Sequence, residues 1–159
     1  MLNADEYQLI LSDTPGIIQP VYKLQESMMD AMQSVFDDAD VLVYMIEIGE
    51  KKGKDENIIQ RLNKTDRPLF LVINKIDKGN QCLLNETIDA WKEKLPNAQI
   101  RSISALEGFQ IEELVAQIVA HLPEHQPYFP KDQLTDRSER FVVNEVIREK
   151  ILTLSLIHI

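Results

Sequence analysis

The chain has 159 residues, of which 44% are hydrophobic and 27% charged, an ordinary globular composition with room for one sizeable core and little room for two. Its net charge of −9 excludes a broad electrostatic grip on nucleic acid by these residues taken together, although not a local basic patch. Cys82 stands alone, which excludes a disulfide framework and a cysteine metal site and leads to the expectation of a reducing, cytosolic setting.

Asp5 and Glu6 interrupt the amino terminus before a secretory apolar stretch could develop, and no apolar run approaches the ~20 residues of a membrane span. Residues 7–11 read as a strand that stops abruptly at Asp13-Thr14-Pro15-Gly16. Residues 23–38 carry Leu24, Met28, Met32, Val35 and Phe36 at helical spacing. Residues 41–46 form a continuous apolar run suited to a buried parallel strand, and residues 55–64 follow as a helix with Ile58, Ile59 and Leu62 on one side. The unit repeats: residues 69–73 as strand and 83–95 as helix with Trp91, then residues 100–103 as strand and 111–122 as helix. Such alternation implies right-handed crossovers and a parallel sheet covered on both faces, so the fold class is α/β. Pro123, Pro127 and Pro130 then mark a stiff linker, and a last helix begins near Ser138 with Phe141, Val142, Val146, Ile147 and Ile151 as its apolar face.

In open α/β sheets ligands sit beyond the carboxyl ends of the strands, and three polar clusters fall there. Asn74-Lys75-Ile76-Asp77 is the most specific. A carboxylate at Asp77 can accept from both N1–H and the exocyclic amine of guanine, a pair that adenine cannot make; charge-assisted bonds of this kind contribute about 1.5–3 kcal/mol each. Lys75 is expected along the nucleotide and Asn74 as the tie between this loop and its neighbours. A solvated turn after a strand uses the same residue types. In the second cluster Asp13 would reach a magnesium ion through water, and the Gly16 amide would contact a γ-phosphate; Thr14 and Pro15 lie between them, and a plain β-turn has the same residues. Ser104-Ala105 would offer a backbone amide to the guanine oxygen, and an ordinary strand-to-loop transition looks alike. The order is informative: Asn74 follows Asp13 by 61 positions and Ser104 follows Asp77 by 27, each after its own strand.

These clusters resemble the third, fourth and fifth motifs of Ras-like GTPases. Two further stretches, residues 128–137 (Tyr128-Phe129-Pro130 to Asp136-Arg137) and Arg140-Phe141 with Ile147-Arg148-Glu149-Lys150-Ile151, resemble the junction into the KH domain of Era-like bacterial GTPases. Leu24-Gln25-Glu26-Ser27-Met28 is similar to the same group, and the resemblance covers residues 4–152. It implies an incomplete Ras-like P-loop GTPase domain over residues 1–122, a linker over 123–137, and the first helix of a KH domain over 138–159. It also implies an intact parent that binds GTP or GDP with Mg2+ and hydrolyses GTP. By the same resemblance that parent binds 16S rRNA during small-subunit assembly, resides in the cytoplasm and associates peripherally with membrane. Two alternatives stay open: a non-catalytic interaction module on a GTPase scaffold, or another ribosome-associated GTPase.

Twelve residues precede Asp13, and no Gly-rich loop ending in Gly-Lys-Ser or Gly-Lys-Thr is among them. The stretch from Gly49 to Asp55 imitates one, but it is too short between glycines, ends in Asp and follows the wrong strand. Ile17 stands where Ras carries the glutamine that orients water, as in the Era-like group. Thr153 to Ile159 departs from the amphipathic pattern and is expected not to be family sequence. The reading is therefore of a chain truncated at both ends, hydrolytically inert by itself, with a sheet lacking its first strands. Weak stability follows as an expectation, because unpaired strand edges and a missing sheet member reduce burial. A cooperative thermal transition in the usual mesophilic range of about 45–65 °C would contradict it.

Overall fold

The structure, a computed structural model, describes residues 2–4, 6–12, 36, 38–51, 53, 56–130 and 139–154. The chain divides into two units, residues 12–124 and a second made of residues 1–11 and 125–159.

In the larger unit β3 (Leu42–Glu47), β4 (Leu69–Asn74) and β5 (Gln99–Ser102) form a parallel sheet in that order. Three helices alternate with the strands: α1 (Glu56–Lys64), α2 (Gln81–Lys94) and α3 (Ile111–Val119). The expected βα alternation and α/β class are thus observed. Of the helix expected over residues 23–38, Phe36 and Asp38 are described and both are helical; the rest lies outside the described residues.

Local chemistry sets the helix ends. Glu56 in the first turn and Arg61 and Lys64 in the last oppose the dipole of α1. Asn80 caps α2 by accepting from the Leu83 amide at 2.9 Å, and Pro96 bars its continuation beyond Leu95.

Register decides what each face meets. Leu42, Tyr44 and Ile46 pair with Leu69, Leu71 and Ile73, and all six point to one face. There they join Ile58 and Leu62 of α1 with Trp91 and Leu95 in a single buried cluster. Burying each such side chain contributes about 1.5–3 kcal/mol, which is the main support of this unit. On the other face Phe70 and Val72 are also fully buried, and Phe70 meets the His121 ring edge-on with centroids 5.4 Å apart. Here α3 is tied to β5 by the Arg101–Gln117 hydrogen bond, and the turn after α3 by Gln99 against His121 at 3.0 Å. Cover is incomplete on this face: Val43 and Met45 of β3 are 43% and 55% exposed.

In the smaller unit β1 (Leu2–Asn3) and β2 (Gln8–Leu9) form an antiparallel hairpin, closed by the Ala4 amide donating to the Tyr7 carbonyl at 2.9 Å. Residues 7–11 were expected to join the parallel sheet; the observed strand is shorter and pairs with β1 instead. The hairpin is tied down through Gln8, whose side chain donates to Asn3 Oδ1 and to the Phe129 carbonyl and accepts from the Phe129 amide. Of the expected last helix, α4 (Glu139–Leu154) is observed, Ser138 lying outside the described residues, and Phe141, Val142, Val146, Ile147 and Ile151 on it are exposed.

Leu71 and Val43 differ in burial, so truncation should separate them. Leu71→Ala is expected to cost about 2–5 kcal/mol, enough to unfold a marginal chain, while Val43→Ala should cost about 0.5 kcal/mol or less. Urea midpoints followed by circular dichroism would reveal the difference; equal losses would contradict the assignment of faces.

Candidate functional site at the strand ends

The parallel register brings the carboxyl ends of β3, β4 and β5 to one rim. Glu47 lies beside Asn74, and Ile73 beside Ser102. Beyond the strands the ladder is extended by the Ile48 amide to the Asn74 carbonyl (3.0 Å), Ile103 to Ile73 (2.8 Å) and Ile76 to Ile103 (3.3 Å).

Asn74 ends β4, and its Oδ1 accepts from the Lys75 amide at 2.7 Å and from the Ala105 amide at 3.0 Å. One oxygen thus fastens the loop after β4 to the loop after β5. Its Nδ2 reaches Met45 Sδ at 3.8 Å. Lys75 adopts φ 62 and ψ 36, the left-handed region that few non-glycine residues occupy, and this reverses the chain into a 3-10 turn over Ile76–Lys78. That turn presents Asp77, whose Oδ1 accepts the Ser104 hydroxyl at 2.5 Å. Ser104 is 2% exposed and its Oγ also accepts from the Glu107 amide at 3.3 Å, while Ser104 and Phe109 exchange backbone bonds across a tight loop. Asp77 Oδ1 is therefore held from below, and the carboxylate itself remains exposed to solvent.

Of the residues singled out in the sequence, Asn74, Lys75, Ile76, Asp77, Ser104 and Ala105 come together on this rim. Asp13, Thr14, Pro15 and Gly16 lie outside the described residues. Among the described residues there is no group of three or more His, Cys, Asp or Glu side chains fit to hold a metal ion.

Glu47 was missed by sequence reasoning. It forms an ion pair with the Lys75 ammonium from the end of the neighbouring strand. The signal was available: it is the first charged residue after the apolar run that makes β3, at the very place where ligand-facing groups belong. The turn after it is fastened to α2. The Gly49 amide donates to Thr87 Oγ1 at 3.0 Å, and the Trp91 indole donates to the Glu50 carbonyl at 2.5 Å. Lys51 pairs with Glu86 at 2.6 Å, and this hydrogen bond and charge hold the Glu86 carboxyl below its ordinary value near 4.5.

The sequence and fold have known counterparts. A family model described as 50S ribosome-binding GTPase matches residues 1–75. GTPase Era of Alkaliphilus metalliredigens is 42% identical over 149 residues, covering 93% of this chain and 50% of that protein. GTPase Era of Clostridium novyi is 41% identical over 155 residues, covering 97% and 53%. The structure of Aquifex aeolicus Era bound to GDP·AlF4− matches with a TM-score of 0.75 at 38% identity, over 92% of this chain and 51% of that one. A structure of Era with MgGDPNP and nucleotides 1506–1542 of 16S ribosomal RNA matches with a TM-score of 0.76, also at 38% identity, over the same shares of the two chains.

The class is therefore an α/β GTPase domain built on a parallel sheet. The chain spans about half the length of the curated relatives it matches. Within the class it belongs to the Era-like GTPase family.

If Asn74 Oδ1 couples the two loops, Asn74→Ala should free the Ala105 and Lys75 amides together. Each lost bond costs about 0.5–1.5 kcal/mol, so their hydrogen exchange should quicken by about tenfold relative to β4. Unchanged protection at Ala105 would show that the bridge carries no weight.

Proposed function

We propose that this chain carries the base-reading part of an Era-like guanine-nucleotide site, with Asp77 as the group that selects guanine. The observation that supports it is the Asn74–Ala105 and Ser104–Asp77 bonding, which fixes an exposed carboxylate at the sheet rim. Ser104 occupies one lobe of Oδ1, and the remaining acceptor capacity of the exposed carboxylate would take N1–H and the exocyclic amine of guanine. Adenine presents an acceptor and no amine there, so it would leave Asp77 unpaired. The aliphatic stem of Lys75 lies along the base or ribose. The Ala105 amide already donates to Asn74, so a guanine oxygen at this position must share that donor in a three-centre bond.

Phosphate and metal contacts are assigned to residues outside the described ones: Asp13 to Mg2+ through water, and the Thr14-Pro15-Gly16 turn to the γ-phosphate. When bound, Mg2+ would neutralise phosphate charge. No Gly-Lys-Ser or Gly-Lys-Thr loop occurs among the 159 residues, and a glutamine does not follow Gly16. This chain by itself is accordingly proposed to bind guanine weakly and to hydrolyse nothing, as a fragment of a longer GTPase. The parent is proposed to bind GTP and 16S rRNA, since a structure of a relative holds MgGDPNP and that RNA, and to hydrolyse GTP in the cytoplasm on family resemblance. Peripheral membrane association is proposed on family resemblance alone. No helix among the described residues is long and apolar enough to cross a membrane.

Titration of the purified chain with guanosine and adenosine, followed by amide NMR, tests the reading. Guanosine should shift Asp77, Ser104 and Ala105 with a Kd on the order of millimolar, and adenosine should not. Asp77→Asn turns one acceptor into a donor; it should lose about tenfold in guanosine affinity and gain for xanthosine, whose ring carries a carbonyl at that edge. Equal response to both purines would overturn the assignment, and micromolar GTP binding would overturn the inactivity.

A further inference from the structure

We propose that Glu47 is a positioning residue for the nucleotide: it takes the charge of Lys75 so that the lysine acts through its aliphatic stem rather than through its ammonium. This rests on the base-reading role proposed above.

Three observations lead to it. First, Lys75 Nζ is paired with Glu47 Oε1, the end residue of β3, rather than pointing into solvent from its turn. Second, both ends of that pair are held by the backbone. Lys75 is set in the left-handed region, with its amide bonded to Asn74 Oδ1. Glu47 lies opposite Asn74 in the parallel register, its amide donates to Glu50 Oε2 at 3.3 Å, and the Glu50 amide returns a bond to the Glu47 carbonyl at 3.1 Å. Third, the turn beyond Glu47 is anchored to α2 through Gly49 to Thr87 and Trp91 to Glu50. The carboxylate therefore stands on a fixed support, while the lysine has a flexible four-carbon stem.

The physical consequence is preorganisation. An unpaired lysine loses rotamer freedom when a ligand settles on its stem, and a stem already held across the rim loses less. The pair also answers a question of charge. Lys75 and Glu47 side chains are 40% and 59% exposed, so the pair is screened and weak in itself, and its worth lies in direction rather than energy. With the ammonium drawn toward β3, Lys75 offers the ligand an apolar edge. A lysine serving phosphate would be helped by removing Glu47; a lysine serving the base would be harmed.

The test uses the 159-residue chain and guanosine, which has no phosphate, beside GDP. Glu47→Gln should weaken guanosine by about threefold, the scale on which half-exposed pairs act, and should not strengthen GDP. In a Lys75→Ala background the same substitution should change nothing, so that the double-mutant cycle assigns the effect to the lysine. Lys75 side-chain NMR without ligand supplies a second readout: its two ε protons should be distinct in the parent chain, merge in Glu47→Gln, and separate again in Glu47→Asp. Equal guanosine affinity in parent and Glu47→Gln, tighter GDP binding, or additive effects in the cycle would each overturn the inference. A Glu47→Gln chain that loses its folded amide spectrum would overturn it too, by making Glu47 a structural residue. If the parent chain does not prefer guanosine over adenosine, the base-reading role fails first and the positioning role falls with it.

Discussion

Asn74 Oδ1 holds the rim of this molecule together. By accepting from Lys75 and Ala105 at once, it makes the loop after β4 and the loop after β5 a single object. Neither bond is strong by itself, but an amide oxygen with two lone pairs satisfied by two backbone donors leaves little freedom to either chain. Asp77 and Ser104 can meet at 2.5 Å because their loops are already joined nearby, through Asn74 and Ala105. The register of β4 against β3 and β5 is what delivers Asn74 to that place, and the burial of Leu71 and Ile73 is what enforces the register: a slip by one residue would turn both to the wrong face.

Every described residue with positive φ lies in one of the loops leaving these strands. Gly49 follows β3, Lys75 follows β4, and Gly108 and Gln110 follow β5. At Lys75 and Gln110 a side chain is carried at a conformational cost, and such strain gathers where the surroundings over-determine the backbone. At Lys75 the surroundings are named: the Asn74 side chain on its amide and the Glu47 carboxylate on its ammonium. The core beneath has no such irregularity. The sheet supplies rigidity and the loops supply direction.

Much of this could be read in advance, for physical reasons that differ by element. β4 is an unbroken run of five apolar residues between Pro68 and Asn74, and only a strand buried on both faces needs that pattern. Trp91 lies one helical turn from Thr87, and both are wholly buried on the inner side of α2. Asn74 and Asp77 were identified because their cluster falls at the carboxyl end of a strand, where ligands sit in open α/β sheets, and because a carboxylate there can discriminate guanine. What escaped was non-local. Nothing in the apolar stretch over residues 7–11 tells that Gln8 will bond Phe129, more than a hundred positions away, or that its strand will pair with Leu2–Asn3 in a short hairpin. Glu47 escaped likewise, since its partner lies in the loop after another strand.

Residue types and their order along the chain determined the α/β class, the strands and helices of the larger unit, and the chemistry gathered after β4 and β5, because periodicity and turn chemistry are local properties. Only the folded chain decided which of those groups touch. Asn74 reaches Ala105, Ser104 reaches Asp77 and Glu47 reaches Lys75 through strand register, and register is set by side chains packing on α1 and α2 rather than by anything within the loops themselves.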